Sequence, residues 1–195
     1  MATITLTTDL GHKDFYVAAV KAKLIESMDQ SRIIDISHNI EPFNIIQGAY
    51  MLSNVYHEFP EGTIHLVGID TSLPSKRHII LKQNGHFFIG PDNGVFSLMF
   101  KGEYDELHEM IIESDSSSMF TFPLKELYVK LAVFIATGGD LTGICEKTDA
   151  ISEKLAVQPI RRGNMIQGSI IHIDYYGNAI VNVTRDLFTE VGSID

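Results

Sequence analysis

At 195 residues, 45% hydrophobic and 21% charged, the chain has an ordinary globular balance and is long enough to bury a sizeable core. Its net charge of -10, from 15 Lys and Arg against 25 Asp and Glu, argues against nucleic acid or an anionic membrane surface as partner. A single cysteine, Cys145, allows no intramolecular disulfide and predicts a cytoplasmic setting. No signal peptide is expected, and no apolar run approaches the length of a membrane span.

In chain order, Thr3–Thr8 reads as a strand that ends at Asp9. Phe15–Met28 follows as a helix with Val17, Val20 and Leu24 on one face and Asp14 as the expected N-cap. Arg32–Ser37 is a second strand, Asn44–Phe59 a second helix, and Thr63–Asp70 a third strand. This alternation predicts an α/β fold with a mostly parallel sheet flanked by helices. His78–Lys82 and His86–Ile89 flank Gln83-Asn84-Gly85, a strong hairpin signal. Asn93–Phe100 suggests a short helix, Leu107–Ile112 a strand, and Glu113–Ser118 a polar, mobile loop. Pro123–Thr137 reads as a helix with Leu127, Leu131 and Phe134 on one face, stopped by Gly138-Gly139. Lys147–Lys154 reads as a linker. Met165–Asp174 and Ala179–Val183 form a last strand pair, with no helical pattern after it. The expected organisation is an α/β domain over 1–155 and the start of a small β domain over 156–195.

Several familiar chemistries leave no trace. There is no P-loop, G-x-G-x-x-G or H-E-x-x-H motif, and no G-x-S-x-G elbow. The eight histidines lack metal-ligand spacing, so no metal site is expected. Cys145 sits in no electropositive setting and reads as structural.

What remains is a set of acids placed at strand ends and turns. Asp9 closes the first strand, where α/β proteins place ligand groups. Asp70 closes the third, and Arg77 lies beyond Thr71-Ser72-Leu73-Pro74-Ser75. A loop that folds Arg77 back onto Asp70 would keep that carboxylate ionised; the same pair could be an ordinary ion pair. Gly90-Pro91-Asp92-Asn93-Gly94 reads as a tight turn, structural or functional. Asp174-Tyr175-Tyr176-Gly177-Asn178 offers a carboxylate, two rings and an amide in one turn. Tyr175 and Tyr176 could equally pack against a neighbouring face, and Phe43 could be core.

The order of these motifs is more specific than any one of them. Thr8-Asp9-Leu-Gly-x-Lys-Asp14-x-Tyr16-Val is followed by Ile36-Ser-His38-x-Ile-x-Pro42-Phe and Gly48-Ala. Gly90-Pro-Asp-Asn-Gly94 and Ile173-Asp174-x-Tyr-Gly-Asn178 complete the series. Over essentially the whole chain it resembles the adenosine-forming S-adenosylmethionine hydrolases, also called SAM hydroxide adenosyltransferases, which are related to the fluorinase and chlorinase. The resemblance implies a homotrimer, with S-adenosylmethionine held between the N-terminal domain of one subunit and the C-terminal domain of the next. It implies no cofactor beyond that substrate. Asp9 would bind the ribose hydroxyls and Phe43 would lie beside the ligand. Asp174 and Asn178 would hold the methionine end, with Tyr176 on the adenosyl side. A carboxylate-rich pocket suits a ligand that carries a sulfonium and an ammonium.

The reaction implied is displacement of methionine at C5′ by water or hydroxide. The family performs it with an Asp-Arg-His triad. Asp70 and Arg77 match the first two members, and Asp70 argues against halide use. Pro123 stands at the histidine position of the family's Thr-Phe-His-Gly-Arg-Asp segment, here Thr121-Phe122-Pro123-Leu124-Lys125-Glu126. His78 and His12 are the nearby alternatives for an imidazole, with His78 expected to face outward on its strand. The family's C-terminal domain continues well beyond the length reached here, so either an abbreviated domain or a shortened chain is expected, and an incomplete pocket would weaken adenine recognition. Two alternatives accompany the hydrolase reading: a non-catalytic S-adenosylmethionine- or adenosine-binding protein, and a related enzyme with a different nucleophile.

Overall fold

The computed structural model describes residues 2–28, 31–71, 77–111 and 121–192. They fall into two compact units divided between Lys154 and Leu155. The Glu113–Ser118 loop and most of the segment between Asp70 and Arg77 lie outside the described residues.

The first unit is built on strands β1 (Thr3–Thr8), β2 (Arg32–Ser37), β3 (Ile64–Gly68), β4 (His78–Gln83), β5 (His86–Pro91), β6 (Glu106–Met110) and β7 (Cys145–Lys147). They form one seven-stranded sheet in the order β2-β1-β3-β5-β4-β6-β7. Pairings β1–β2, β1–β3 and β3–β5 are parallel. The β4–β5, β4–β6 and β6–β7 pairings are antiparallel. The expected parallel sheet is therefore one side of a mixed one. The antiparallel side follows from the Asn84-Gly85 hairpin: both residues have positive φ, 50° and 76°, as a two-residue hairpin turn of this type requires.

Helices α1 (Tyr16–Ser27) and α4 (Val129–Ala136) cover one face. There Val20, Leu24, Tyr128 and Leu131 pack on Ile4, Leu6, Ile64 and Leu66. Helices α2 (Ile45–Ser53) and α3 (Val95–Phe100) cover the other, with Ala49, Leu52, Val95 and Phe96 against Val67, Ile79, Leu81 and Phe88. With both faces covered, β3 is buried along its whole length.

Several local expectations are corrected. Phe15, not Asp14, is the N-cap of α1, and no side chain caps it. The second helix stops at Ser53, and Tyr56–Glu58 is a separate 3₁₀ turn. Its start is capped by Asn44, whose side chain accepts from Gln47 N at 3.0 Å. The Pro123 segment enters α4 through a π-helical turn, Leu124–Tyr128. Part of the expected linker, up to Lys147, is the edge strand β7.

The second unit holds two antiparallel ladders. Strand β8 (Ile160–Arg162) pairs with β9 (Met165–Gln167), and β10 (Ile170–Ile173) pairs with β11 (Ala179–Val181). The single strand expected over Met165–Asp174 is thus two. A short helix, α5 (Arg185–Gly192), follows where no helix was expected. Its signal was present in Thr184, whose hydroxyl accepts from Leu187 N at 3.3 Å.

Candidate active site at the sheet switch point

The order β2-β1-β3 sends the chain from β1 to one neighbour and then across to the other. The chain goes from β1 to β2 on one side of the β1–β3 pair and from β3 to β4 on the other, so the connections that leave the carboxyl ends of β1 and β3 lead in opposite directions. Open α/β sheets bind ligands at this crevice. Asp9 follows β1 and Asp70 follows β3, so both candidate acids stand on its rim.

They are joined there. Asp9 Oδ2 accepts a hydrogen bond from Asp70 N at 3.1 Å and another from Phe43 N at 2.9 Å. Both partners have left-handed backbones, φ 51° at Asp70 and φ 67° at Phe43. Aspartate tolerates this region; a bulky residue such as Phe seldom enters it. The Phe43 conformation belongs to a turn closed by Asn44 N donating to Glu41 O at 3.0 Å. Pro42 takes the second position, and Phe43 occupies the third, where a type II turn favours glycine. Phe43 is 63% exposed, so it is a surface ring rather than core.

The floor beneath Asp9 is polar and buried. Thr8 Oγ1 lies 2.7 Å from His38 Nδ1, and His38 Nε2 lies 3.1 Å from Asp35 Oδ1. Gly11 N donates to His38 O at 2.7 Å, so His38 fixes the loop that carries Asp9 from both its ring and its backbone. Burial lowers the His38 pKa, with Asp35 opposing the shift. His12 stands edge-on to His38, with ring centroids 5.0 Å apart, and is itself exposed.

Arg77 does not make the expected pair with Asp70. Its Nη2 donates to Ala150 O at 2.6 Å and lies 3.4 Å from Asp92 Oδ2, and its Nε lies 3.1 Å from Glu109 Oε2. Asp92 Oδ1 in turn accepts from Ser152 N at 2.8 Å. Arg77 and Asp92 thus fasten the 148–154 segment to the adjoining ends of β4 and β5. Asn93, the next residue, donates through Nδ2 to Ile69 O at 3.0 Å, one residue before Asp70. The Gly90–Gly94 motif therefore acts by holding neighbours in place, the structural side of the two readings.

His78 is buried, not outward-facing. Its Nδ1 lies 2.7 Å from the hydroxyl of fully buried Tyr128. Burial lowers the His78 pKa to about 4, so the ring is neutral near pH 7. Tyr128 ends the π-helical turn that begins after Pro123, and π turns inside helices often mark functional segments.

In the second unit, Asp174 and Asn178 close one turn. The Asp174 carboxylate accepts from Asn178 Nδ2 at 2.7 Å, Asn178 N at 2.8 Å and Tyr176 N at 2.9 Å. These bonds, the Asn178 side chain first, lower the Asp174 pKa and keep it ionised. Tyr176 and Tyr175 are 87% and 98% exposed, so neither is held by packing. Cys145 is buried, and burial raises its pKa to about 11, the setting of an inert thiol. Among the described residues no cluster of His, Cys, Asp and Glu could hold a metal ion, and no helix is long and apolar enough to cross a membrane.

Residues 4–145 match the model of the SAM hydroxide adenosyltransferase N-terminal domain. The chain belongs to this family. It is 31% identical over 192 residues to an (R)-S-adenosyl-L-methionine hydrolase of Methanocaldococcus jannaschii, covering 95% of this chain and 68% of that protein. A hydrolase of the same name from Thermus thermophilus is 25% identical over 205 residues, covering 98% of this chain and 80% of the relative. A fluorinase from Actinoplanes is 23% identical over 225 residues, with 97% and 74% covered. A solved structure of a conserved protein from Thermotoga maritima superimposes with a TM-score of 0.83 at 26% identity, over all of this chain and 75% of that one.

Proposed function

We propose that this member of the SAM hydroxide adenosyltransferase family hydrolyses S-adenosylmethionine to adenosine and methionine. The observation that carries the reading is the junction of Asp9, Asp70 and Phe43 at the switch point of the sheet. Asp9 is the acceptor for the ribose diol, and Phe43 offers a ring at the rim. Asp174, Asn178 and Tyr176 take the amino-acid end and the adenosyl side of the ligand. No further cofactor is invoked.

The sulfonium is a good leaving group before the enzyme acts. Water oxygen attacks C5′, the C–S bond breaks, its electron pair stays on sulfur as neutral methionine, and the water proton is released. The protein has to hold that water in line with the C–S bond. We assign the orienting role to Asp70. Arg77 takes a supporting role from its anchorage on Asp92 and Glu109, where it also keeps the 148–154 segment in place. We further propose a cytoplasmic homotrimer in which neighbouring chains share each ligand, as the family resemblance suggests.

Incubation with S-adenosylmethionine should release adenosine and methionine in equal amounts. Asp70→Ala should slow release by about a hundredfold, the usual scale for loss of a proton-handling carboxylate. Absence of adenosine above background would reject hydrolysis. A second reading, adenosyl binding without turnover, draws on Pro123 at the family's histidine position and on the engagement of Arg77 away from Asp70. It predicts that S-adenosylmethionine raises the melting temperature and is recovered intact.

A further inference from the structure

Asp9 is read above as a ligand group, yet its carboxylate is already at work inside the protein. Among the described residues, both hydrogen bonds to that carboxylate fall on one oxygen, Oδ2. The two donors come from different loops. Phe43 lies between β2 and α2, and Asp70 follows β3. Each donor belongs to a residue held in the left-handed region. For a non-glycine residue that conformation is disfavoured and persists only where its surroundings hold it in place. The Phe43 turn has a closing bond of its own, but that bond leaves the Phe43 N–H to be satisfied elsewhere, and Oδ2 does so. Asp9 is anchored from below by the Thr8–His38 contact and the Gly11–His38 bond, so the acceptor is a fixed point rather than a flexible one.

We propose that Asp9 is a positioning residue for Asp70: one oxygen of the Asp9 carboxylate pins the backbones of Asp70 and Phe43, so the group that receives the ribose also sets where the water-orienting carboxylate stands. The inference rests on the hydrolase reading for its catalytic consequence, but the pinning is a property of the protein without ligand. It couples two parts of one site. A ligand seated against Asp9 is registered, through a single atom, to the loop that carries Asp70. Displacement of a catalytic group by about 1 Å can cost a hundredfold in rate, so such registration has consequences for turnover.

The test compares Asp9→Asn with Asp9→Ala in the full chain. Asparagine keeps a carbonyl oxygen that can accept both N–H bonds but loses the charge; alanine loses the acceptor. With S-adenosylmethionine as substrate, Asp9→Asn should raise KM and hold kcat within about tenfold of wild type. Asp9→Ala should lower kcat at saturating substrate by about a hundredfold in addition to raising KM. A ribose-binding role alone would move KM in both variants and leave kcat intact, and that result would overturn the proposal. The second measurement needs no turnover. Without ligand, Asp9→Ala should melt about 2–4 °C or more below wild type, and Asp9→Asn should recover most of the loss. Phe43→Gly, which removes the left-handed penalty at that position, should raise the melting temperature of Asp9→Ala by more than it raises that of wild type. Equal melting of the Ala and Asn variants overturns the pinning itself. If wild type releases no adenosine while the melting differences hold, the hydrolase reading fails and the pinning stands.

Discussion

Tyr128 and His78 show how one buried pair supports a site it does not line. Tyr128 is fully buried, and burial raises its pKa, so the hydroxyl keeps its proton while hydrogen-bonded to Nδ1 of neutral His78. That bond joins the first residue of β4 to the last residue of the π-helical turn. His78 follows Arg77 directly, so the bond also steadies the start of the strand on which Arg77 reaches Asp92 and Glu109. Tyr128→Phe keeps the ring and deletes the hydroxyl, leaving a buried imidazole nitrogen without its partner. The expected cost is about 1–3 kcal/mol of unfolding free energy. Urea titration of the full chain checks it; a variant as stable as wild type would mean that the bond contributes nothing net.

At the scale of elements, the Gly90–Gly94 segment shows what a sequence motif conceals. As a sequence it reads as a turn of residues with unusual backbone angles. In the structure only Gly94 has positive φ, 98°, while Gly90 lies within β5, opposite Ile79. Gly90 is needed for proximity. A Cβ there would stand 2.9 Å from Phe96 Cζ and 3.1 Å from Val67 O, a rigid ring and a backbone atom that cannot easily yield. Gly90→Ala should therefore displace α3 from the sheet and cost about 1–3 kcal/mol, measurable by thermal or urea unfolding. The strands β1 to β3 were legible because each is a segment of five or six residues in which Ile, Val, Leu or Thr recurs between turn or polar breaks, too short for a helix. The Asn84-Gly85 hairpin was legible because so few dipeptides accept two positive φ angles. Strand β7 and helix α5 were not. Three residues, Cys145–Lys147, carry no period, and eight residues of α5 carry barely two turns. The inward face of His78 was hidden for another reason. A sheet covered on both sides has no outward face, and a neutral imidazole with one partner can be buried there at small cost. The candidate site was legible as a set of acids. Its wiring was not, because the Asp9–Asp70 and Arg77–Asp92 contacts join residues far apart in the chain, and a loop between Asp70 and Arg77 does not by itself bring them together.

Across the molecule, the same habit of burying histidine makes the first unit sensitive to acid. His65 is fully buried, its Nδ1 lying 2.7 Å from Thr5 Oγ1 and its Nε2 lying 3.3 Å from His86 Nδ1. Burial, reinforced by His86, lowers the His65 pKa from 6.5 to about 3, and burial alone brings His78 to about 4. His38 and His86 are lowered too, each chiefly by burial, with Asp35 and Glu61 opposing. The folded chain therefore resists protons that the unfolded chain accepts below pH 6.5. Stability is fully present above that value and declines as the pH falls through it toward the folded pKa values. For His65 and His78 together the loss between pH 7 and pH 5 is about 3–4 kcal/mol, at up to about 1.4 kcal/mol per pH unit for each proton. Free carboxylates titrate chiefly below this window, so the slope reports imidazole. Urea unfolding at pH 7, 6 and 5 should show the decline. His78→Gln, which keeps a polar side chain but cannot titrate, should be less stable at pH 7 and should lose the His78 share of the slope, up to about half. A flat profile would mean that the imidazoles find protons in the folded state. A steep profile unchanged by His78→Gln would move the sensitivity to His65, His86 and the Thr5 contact at the opposite end of the sheet.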